Sequence, residues 1–326
     1  MEYRYLGKTG LKVSGLCLGT MQFGWTADEP ASQKILSASL DAGINFIDTA
    51  NVYSKWVEGN PGGVSETIIG NWMKASSIPR EKVVLATKVR GKMGDDPNSE
   101  GLSRKHILKA VEDSLRRLQT DYIDLYQTHF MDENTPMEVT LSTLDDLIHQ
   151  GKVRYAGCSN YPAWRLMEAL WVSDVKHIHR FETLQPHYNL VHRQEFEEQS
   201  QDVCCKYGLG VIPYSPLAAG FLTGKYRKDR NNPGSPRAGR AKKYFNNQNW
   251  DLLDVMDILG KDLGGCSVSQ LALAWLLANP VITSPIIGPR SLEQLEDNLA
   301  AMEINLSQEA LQALNNASSQ STDKVT

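Results

Sequence analysis

The sequence predicts an α/β chain in which eight parallel strands and eight helices alternate and close into a single (β/α)8 TIM barrel. Three observations predict it. Short apolar runs alternate with longer amphipathic ones along nearly the whole chain, the pattern of repeated βαβ units. Eight such units suit closure better than an open sheet. The length, 326 residues, is one that α/β barrels routinely occupy as a single domain.

The elements follow in order. Residues 3–6 and 11–14 flank Gly7-Lys8-Thr9-Gly10 and read as an N-terminal β-hairpin placed to close the bottom of the barrel. The barrel strands are expected at 16–18, 45–48, 83–88, 122–127, 153–158, 181–185, 210–214 and 282–287. The helical patterns are 32–42, 66–73, 103–118, 137–150, 162–172, 194–207, 268–278 and 292–300. Ser103 is suited to cap its helix, and Pro162 sits where a first-turn proline is tolerated. In the 103–118 helix, Ile107, Leu108, Val111, Leu115 and Leu118 recur at helical spacing and form the buried stripe. Extra helices are expected after strands seven and eight. Residues 216–249 are too long for a mere connector, and an added helix at 249–263 follows them. Residues 1–318 thus form one barrel domain, with a polar, frayed tail at 319–326.

Composition narrows the function classes. Lys plus Arg is 34 against 38 Asp plus Glu, so the net charge of −4 argues against nucleic acid as a partner. The five cysteines are odd in number and form no CxxC pair, which favours a reducing compartment. The vicinal Cys204 and Cys205 read as ordinary packing in a helix. The start, MEYRYLGKTG, is charged where a secretory leader carries an apolar run, and no stretch of about 18 apolar residues exists. The expectation is a cytoplasmic chain that inserts in no membrane. A homo-oligomer stays open.

Several chemistries lack their motifs. No G-x-G-x-x-G signals a doubly wound dinucleotide domain. Gly220-Phe-Leu-Thr-Gly224-Lys225 resembles a phosphate loop but has three residues between its glycines where a Walker A motif has four. There is no HExxH helix and no G-x-S-x-G elbow. His177-x-His179 shows no clustered carboxylate or cysteine in the sequence, so no metal is expected.

In such barrels, chemistry sits at the C-terminal ends of the strands. Those ends offer Asp48 with Tyr53 in the loop beyond it, Lys88, His129, Ser159-Asn160, Gln185, Tyr214-Ser215 and Gly288-Pro289-Arg290. An ammonium beside a phenol lowers the tyrosine pKa, and a carboxylate keeps the lysine charged and placed. The tyrosine becomes a proton donor for work near neutral pH, with a histidine to orient a carbonyl. Reduction of a carbonyl needs such a set when hydride arrives from elsewhere. Met21, Trp25, Trp56 and Phe130, in loops after strands one, two and four, are expected to give an apolar mouth for aldehydes or ketones.

GINFIDTANVY at 43–53, LATK at 85–88, DYIDLYQTH at 121–129 and GKVRYAGCSN at 151–160 resemble the signature segments of the aldo-keto reductases. The resemblance spans nearly the whole chain, and its best match is the bacterial branch that also resembles voltage-gated potassium-channel β subunits. It implies a barrel that binds NADPH in extended form, with NADH left open. It implies Asp48, Tyr53, Lys88 and His129 as the catalytic tetrad, with Tyr53 as general acid. Ser159, Asn160 and Gln185 match residues that hold the nicotinamide carboxamide, and Tyr214 matches a ring that stacks on the nicotinamide. SPLAAGFLTGKY matches the pyrophosphate loop, placing Ser215, Leu217, Gly220 and Lys225 near phosphate. GPRSLEQLEDN matches the adenosine end, with Gly288, Arg290, Gln294 and Asn298 as contacts. Many relatives carry Lys-Ser at Gly288-Pro289 and Arg at Gln294, so NADP preference rests mainly on Arg290. Eight basic residues lie between Lys225 and Lys243 and read either as a solvated loop or as a belt over the phosphates.

The leading expectation is thus an NADPH-dependent carbonyl reductase acting on a small molecule. Two alternatives stay open: a nicotinamide-nucleotide-sensing regulatory subunit with little turnover, and a lyase using Lys88 as a Schiff-base nucleophile.

Overall fold

The structure, a computed structural model, describes residues 1–228 and 234–319. The frayed tail expected at 319–326 therefore lies, apart from Ser319, outside the described residues, as does Arg230 of the basic stretch.

A hairpin of β1 (Tyr3–Tyr5) and β2 (Lys12–Ser14) precedes the barrel strands. These are β3 (Cys17–Gly19), β4 (Phe46–Asp48), β5 (Val84–Val89), β6 (Ile123–Thr128), β7 (Val153–Ser159), β8 (Phe181–Gln185), β9 (Gly210–Val211) and β10 (Ile286–Ile287). They pair in parallel in the order β10-β3-β4-β5-β6-β7-β8-β9. Val211 bridges to Ile282, and the Ile286 N–H donates to the Pro213 carbonyl at 2.9 Å, so the last strand meets the seventh and the ring closes. β9 and β10 are shorter than the runs 210–214 and 282–287 suggest. Pro213 and Pro285 interrupt those runs, and proline has no N–H for a ladder.

Around the ring pack α1 (Glu29–Asp41), α2 (Val64–Ala75), α3 (Arg104–Leu118), α4 (Met137–His149), α5 (Ala163–Lys176) and α6 (Gln201–Tyr207). After β9 come the short α7 (Ala238–Ala241), α8 (Asn247–Asp262) and α9 (Val268–Ala278); after β10 come α10 (Leu292–Ala300) and α11 (Gln308–Ser318). Ser103 caps α3 through the His106 N–H, and Pro162 takes the cap position of α5, one residue before its first turn. Vicinal Cys204 and Cys205 lie in α6, the first buried and the second exposed. No helix among the described residues is long and apolar enough to cross a membrane.

The core divides in two. A large cluster fills the layer between strands and helices. A smaller one fills the barrel itself, with Cys17, Phe46, Val84, Ala86, Leu125 and Ile212 from the strands and Leu6 and Val13 from the hairpin. The hairpin therefore plugs the bottom, as expected. Gly7, at φ +57°, is pressed so close to Glu182 and Gly210 that a Cβ would stand 2.8 Å or less from their backbone atoms.

Side chains alternate along a strand, so residues two apart share a face. The inward row therefore continues from Phe46 to Asp48, from Val84 and Ala86 to Lys88, and from Leu125 to Gln127. Each strand turns from apolar at the plug to polar at the mouth. The fold thus aims the chemistry by period alone.

Candidate active site

At the mouth, Lys88 is the hub. Its Nζ donates to Asp48 Oδ2 at 2.5 Å, to the Thr49 carbonyl at 2.9 Å and to the Tyr53 hydroxyl at 3.0 Å. Lys88 and Asp48 are wholly buried. Burial works against the ammonium, but Asp48 and Tyr53 outweigh it and raise the lysine pKa above its ordinary value. A lysine held so firmly as an ammonium has no lone pair for attack, which removes the nucleophile from the Schiff-base reading.

Asp48 is braced on its other oxygen, which accepts from Gln127 at 3.1 Å and from Gln185 at 2.9 Å. Gln127 is a residue that sequence reasoning missed. The signal was its place on the inward row of β6, two residues before His129, which directly follows that strand. Gly157, on β7, makes room for it: a Cβ there would stand 2.2 Å from Thr183 Oγ1 and 3.2 Å from Gln127 Cγ.

Tyr53 reverses one expectation. Burial raises its pKa above the ordinary phenol value, and the opposing pull of Lys88 does not restore it. The phenol is consequently protonated across the neutral range, held as a donor by desolvation and not tuned downward by its neighbour. The His129 ring lies edge-on to Tyr53, with ring centroids 6.0 Å apart. Burial, with Lys88 and Arg90 nearby, lowers the His129 pKa to about 3, so the imidazole is neutral and able to hydrogen-bond a substrate oxygen.

These groups open onto a cleft of about 570 Å³. Asp48, Tyr53 and His129 line it, and Lys88 stands directly behind the tyrosine hydroxyl. Ser159, Asn160, Gln185 and Tyr214 line it as well. The Ser159 hydroxyl donates to the Gln185 carbonyl at 2.9 Å, Asn160 donates to the His129 carbonyl at 3.0 Å, and the Tyr214 hydroxyl donates to Asn160 Oδ1 at 2.8 Å. Behind Tyr214 stand His187, stacked at 5.1 Å and 11°, and His192, stacked on His187 at 4.0 Å. The tyrosine is the front ring of a three-ring wall.

The remaining residues expected at the phosphates, Ser215, Leu217, Gly220 and Lys225, also line the cleft, as do Gly288, Arg290, Gln294 and Asn298. Ser215, Ala218, Ala219 and Gly220 all take positive φ, and the Ala218 and Gly220 N–H groups donate to the Ser215 and Leu217 carbonyls at 2.9 and 2.8 Å, so the segment is wound into tight turns. At Gly220, φ +93°, a Cβ would stand 2.8 Å from the Lys225 ammonium, so the lysine lies across the loop. Gln294 accepts the Arg290 N–H at 2.9 Å and so fixes the start of α10.

Arg237 is one of the eight basic residues between Lys225 and Lys243, to which the sequence assigned no individual contact. It lines the same cleft, and its Nε and Nη2 are buried with no hydrogen-bond partner among the described residues. Burial, then Arg290 and Arg240, lowers its pKa to about 10, and burial, Arg290 and Arg237 lower that of Lys225. Lys225, Arg237 and Arg290 thus line one cleft, and among the described residues none of the three is in an ion pair. That arrangement fits a phosphate-bearing ligand.

Of the residues expected to form the apolar mouth, Met21 and Phe130 line the cleft, but Trp25 and Trp56 do not. The indoles pack edge-to-face on one another at 5.6 Å, Trp56 lies 6.4 Å from the Tyr53 ring, and the Arg237 guanidinium lies over Trp25. Trp56, though 45% exposed, packs against Tyr53, and Trp25 takes the Arg237 guanidinium on its face.

Comparison with known proteins bears on the same site. The model of the aldo/keto reductase family matches residues 15–319. The chain is 44% identical to the uncharacterized oxidoreductase YrpG of Bacillus subtilis, covering 97% of this chain and 95% of the relative. It is 37% identical to a probable voltage-gated potassium channel subunit beta of Oryza sativa, covering 93% and 92%. It is 33% identical to versiconal hemiacetal acetate reductase of Aspergillus parasiticus, covering 96% of both chains.

Proposed function

The chain belongs to the aldo/keto reductase family and is an oxidoreductase, and from that premise we propose that it reduces aldehydes or ketones to alcohols with NADPH, using Tyr53 as the general acid. The observation that carries the reading is the Lys88 ammonium bonded to both Asp48 and the Tyr53 hydroxyl beside a cleft that Lys225, Arg237 and Arg290 also line. Loss of reduced-nicotinamide absorbance with a panel of aldehydes tests it. Turnover no faster than the uncatalysed reaction would leave the nucleotide-sensing reading.

The cofactor fits the residues present. Ser159, Asn160 and Gln185 would hold its carboxamide against the face of Tyr214. The positive-φ loop with Lys225 and Arg237 would receive the pyrophosphate, and Arg290 at the start of α10 the 2′-phosphate. When bound, the dihydronicotinamide supplies a hydride to the carbonyl carbon. The protein does the rest. Neutral His129 orients the carbonyl oxygen, Tyr53 gives that oxygen its proton, and the Lys88 ammonium stabilises the phenolate left behind. Asp48, braced by Gln127 and Gln185, holds the ammonium in place. A proton from water restores the phenol.

Two consequences are open to titration. Tyr214→Ala, which removes the front ring of the wall, is expected to weaken NADPH by about 1–3 kcal/mol, the scale of stacking on an aromatic side chain. Tyr214→Phe keeps the ring and loses much less. Equal affinity in the Ala variant and wild type would show that the ring is no wall. Arg290→Ala is expected to weaken NADPH by about 1.5–3 kcal/mol, as for a hydrogen bond to a charged group, and to leave NADH nearly untouched. Only NADPH carries the 2′-phosphate. Equal losses for the two cofactors would move Arg290 to the pyrophosphate instead.

A further inference from the structure

On the opposite face of the barrel, the end of α4 and the turn between α5 and β8 bring three potential ligands together. Asp145 and His149 are four residues apart on α4 and so share one of its faces. His179 comes from the turn, two residues before β8 begins. The three donor atoms lie within 4.8 Å of one another. His179 Nδ1 is 2.6 Å from Asp145 Oδ1, and His149 Nδ1 is 3.3 Å from Asp145 Oδ2. The sequence shows only His177-x-His179 here. The carboxylate that pattern lacked arrives from 34 residues upstream.

We propose that Asp145, His149 and His179 bind a borderline divalent cation, Zn²⁺ for preference, and that the ion pins the α5–β8 turn to α4. Two imidazoles and one carboxylate form a nitrogen-rich set that suits Zn²⁺ and disfavours Mg²⁺, which takes oxygen ligands. A tetrahedral ion with bonds of about 2.0–2.1 Å leaves one position to water. To reach it, His179 Nδ1, now 2.6 Å from Asp145 Oδ1, must exchange that hydrogen bond for the ion, and the three donors, now within 4.8 Å, must draw together around it. The Asp145 carboxylate is the fixed point: its side chain is 13% exposed, against 69% for His149 and 49% for His179. It already accepts the backbone N–H of His179 at 2.9 Å, so its position holds without any ion.

The site sets a condition on His149. Its Nδ1 lies 2.9 Å from the Asp145 carbonyl oxygen, a contact that requires a proton on Nδ1. Cation binding requires the lone pair there instead, with the proton moved to Nε2. His149 is largely exposed, so its ring can exchange one partner for the other without disturbing the core. α4 runs into the start of β7 and His179 into the start of β8, whereas the cleft is lined from the far ends of those strands, Ser159 and Gln185. An ion at this site therefore reinforces the fold and takes no part in turnover.

The test uses the untagged full chain and Co²⁺ as a visible probe, followed by Zn²⁺ competition. Expected are visible absorption bands that saturate at one equivalent, are displaced by Zn²⁺ and are unmoved by Mg²⁺. His149→Gln should weaken Co²⁺ binding at least tenfold while circular dichroism and aldehyde turnover match wild type. Cys205→Ser, which removes the exposed thiol, should bind as wild type does. Zn²⁺ should also raise the melting temperature of wild type and not of His149→Gln, because a ligand stabilises only the state that binds it. No saturable band, equal affinity in His149→Gln, or a thiolate charge-transfer band lost in Cys205→Ser would each overturn the proposal. The three side chains would then be a hydrogen-bonded clamp and no more.

Discussion

Tyr53→Phe is expected to lower carbonyl turnover by about 10²–10⁴-fold, the usual contribution of a placed general acid, with NADPH affinity nearly unchanged. The ring, its packing against Trp56 and its place beside His129 all survive the substitution. What is lost is the hydroxyl: the proton to be given and the oxygen that accepts from Lys88 Nζ. A residue used in the transition state and little in ground-state binding lowers kcat more than it raises the cofactor Kd. The pH profile gives a second reading. Burial raises the Tyr53 pKa, so the protonated, active form persists upward through neutrality. Reduction should hold through pH 8 and decline only above the ordinary tyrosine value of about 10. His129, with its pKa lowered to about 3, should contribute no limb between pH 5 and 8. An alkaline limb near pH 7, or unimpaired turnover in Tyr53→Phe, would remove the tyrosine from its role.

Lys88→Met is expected to cost about 3–5 kcal/mol of folding stability in addition to most of the turnover. Removing one partner of a buried ion pair strands the other. Here the stranded group is Asp48, wholly buried and left with only the two neutral donors of Gln127 and Gln185. Stabilities of single domains run to about 5–15 kcal/mol, so the loss is a large share. Urea denaturation measures it, and the double variant Asp48→Asn with Lys88→Met separates its causes. If the stranded carboxylate is the cause, the double variant regains much of the stability and none of the turnover. If Lys88→Met unfolds at the wild-type midpoint, the pair is not the internal strut described here.

The alternation of strands and helices was legible throughout, and so was the placement of Asp48, Tyr53, Lys88 and His129 at the mouth. Both follow from short-range rules: period along an element, and chemistry at the C-terminal strand ends. What escaped depends on contacts distant in sequence. Gln127 reads as one polar residue in an apolar strand until Asp48 and Gln185 face it. Arg237 sits in a charged stretch that reads equally as a solvated loop or a belt over phosphates, and only the folded cleft singles it out. Asp145 and His149 look like surface residues of an amphipathic helix until His179 arrives. The extra helix expected after strand eight is α11, but its bounds were not legible, because its Gln, Asn and Ser content obscures the buried positions Ala310, Leu314 and Ser318.

The seam between β9 and β10 has a consequence for the lifetime of the protein. Two residues of strand on each side, with a proline beside each, make it the junction where the ring opens at least cost. The positive-φ loop at 215–220 hangs from one side of that seam and α10 from the other. A dinucleotide gripped by both would act as a hasp, so amide exchange and protease nicking at the seam should slow when NADPH is added. Unchanged exchange at Val211 and Ile287 would show that the two sides are not latched by the ligand. If they are, the supply of reduced nicotinamide nucleotide governs how long each copy survives as well as how fast it turns over.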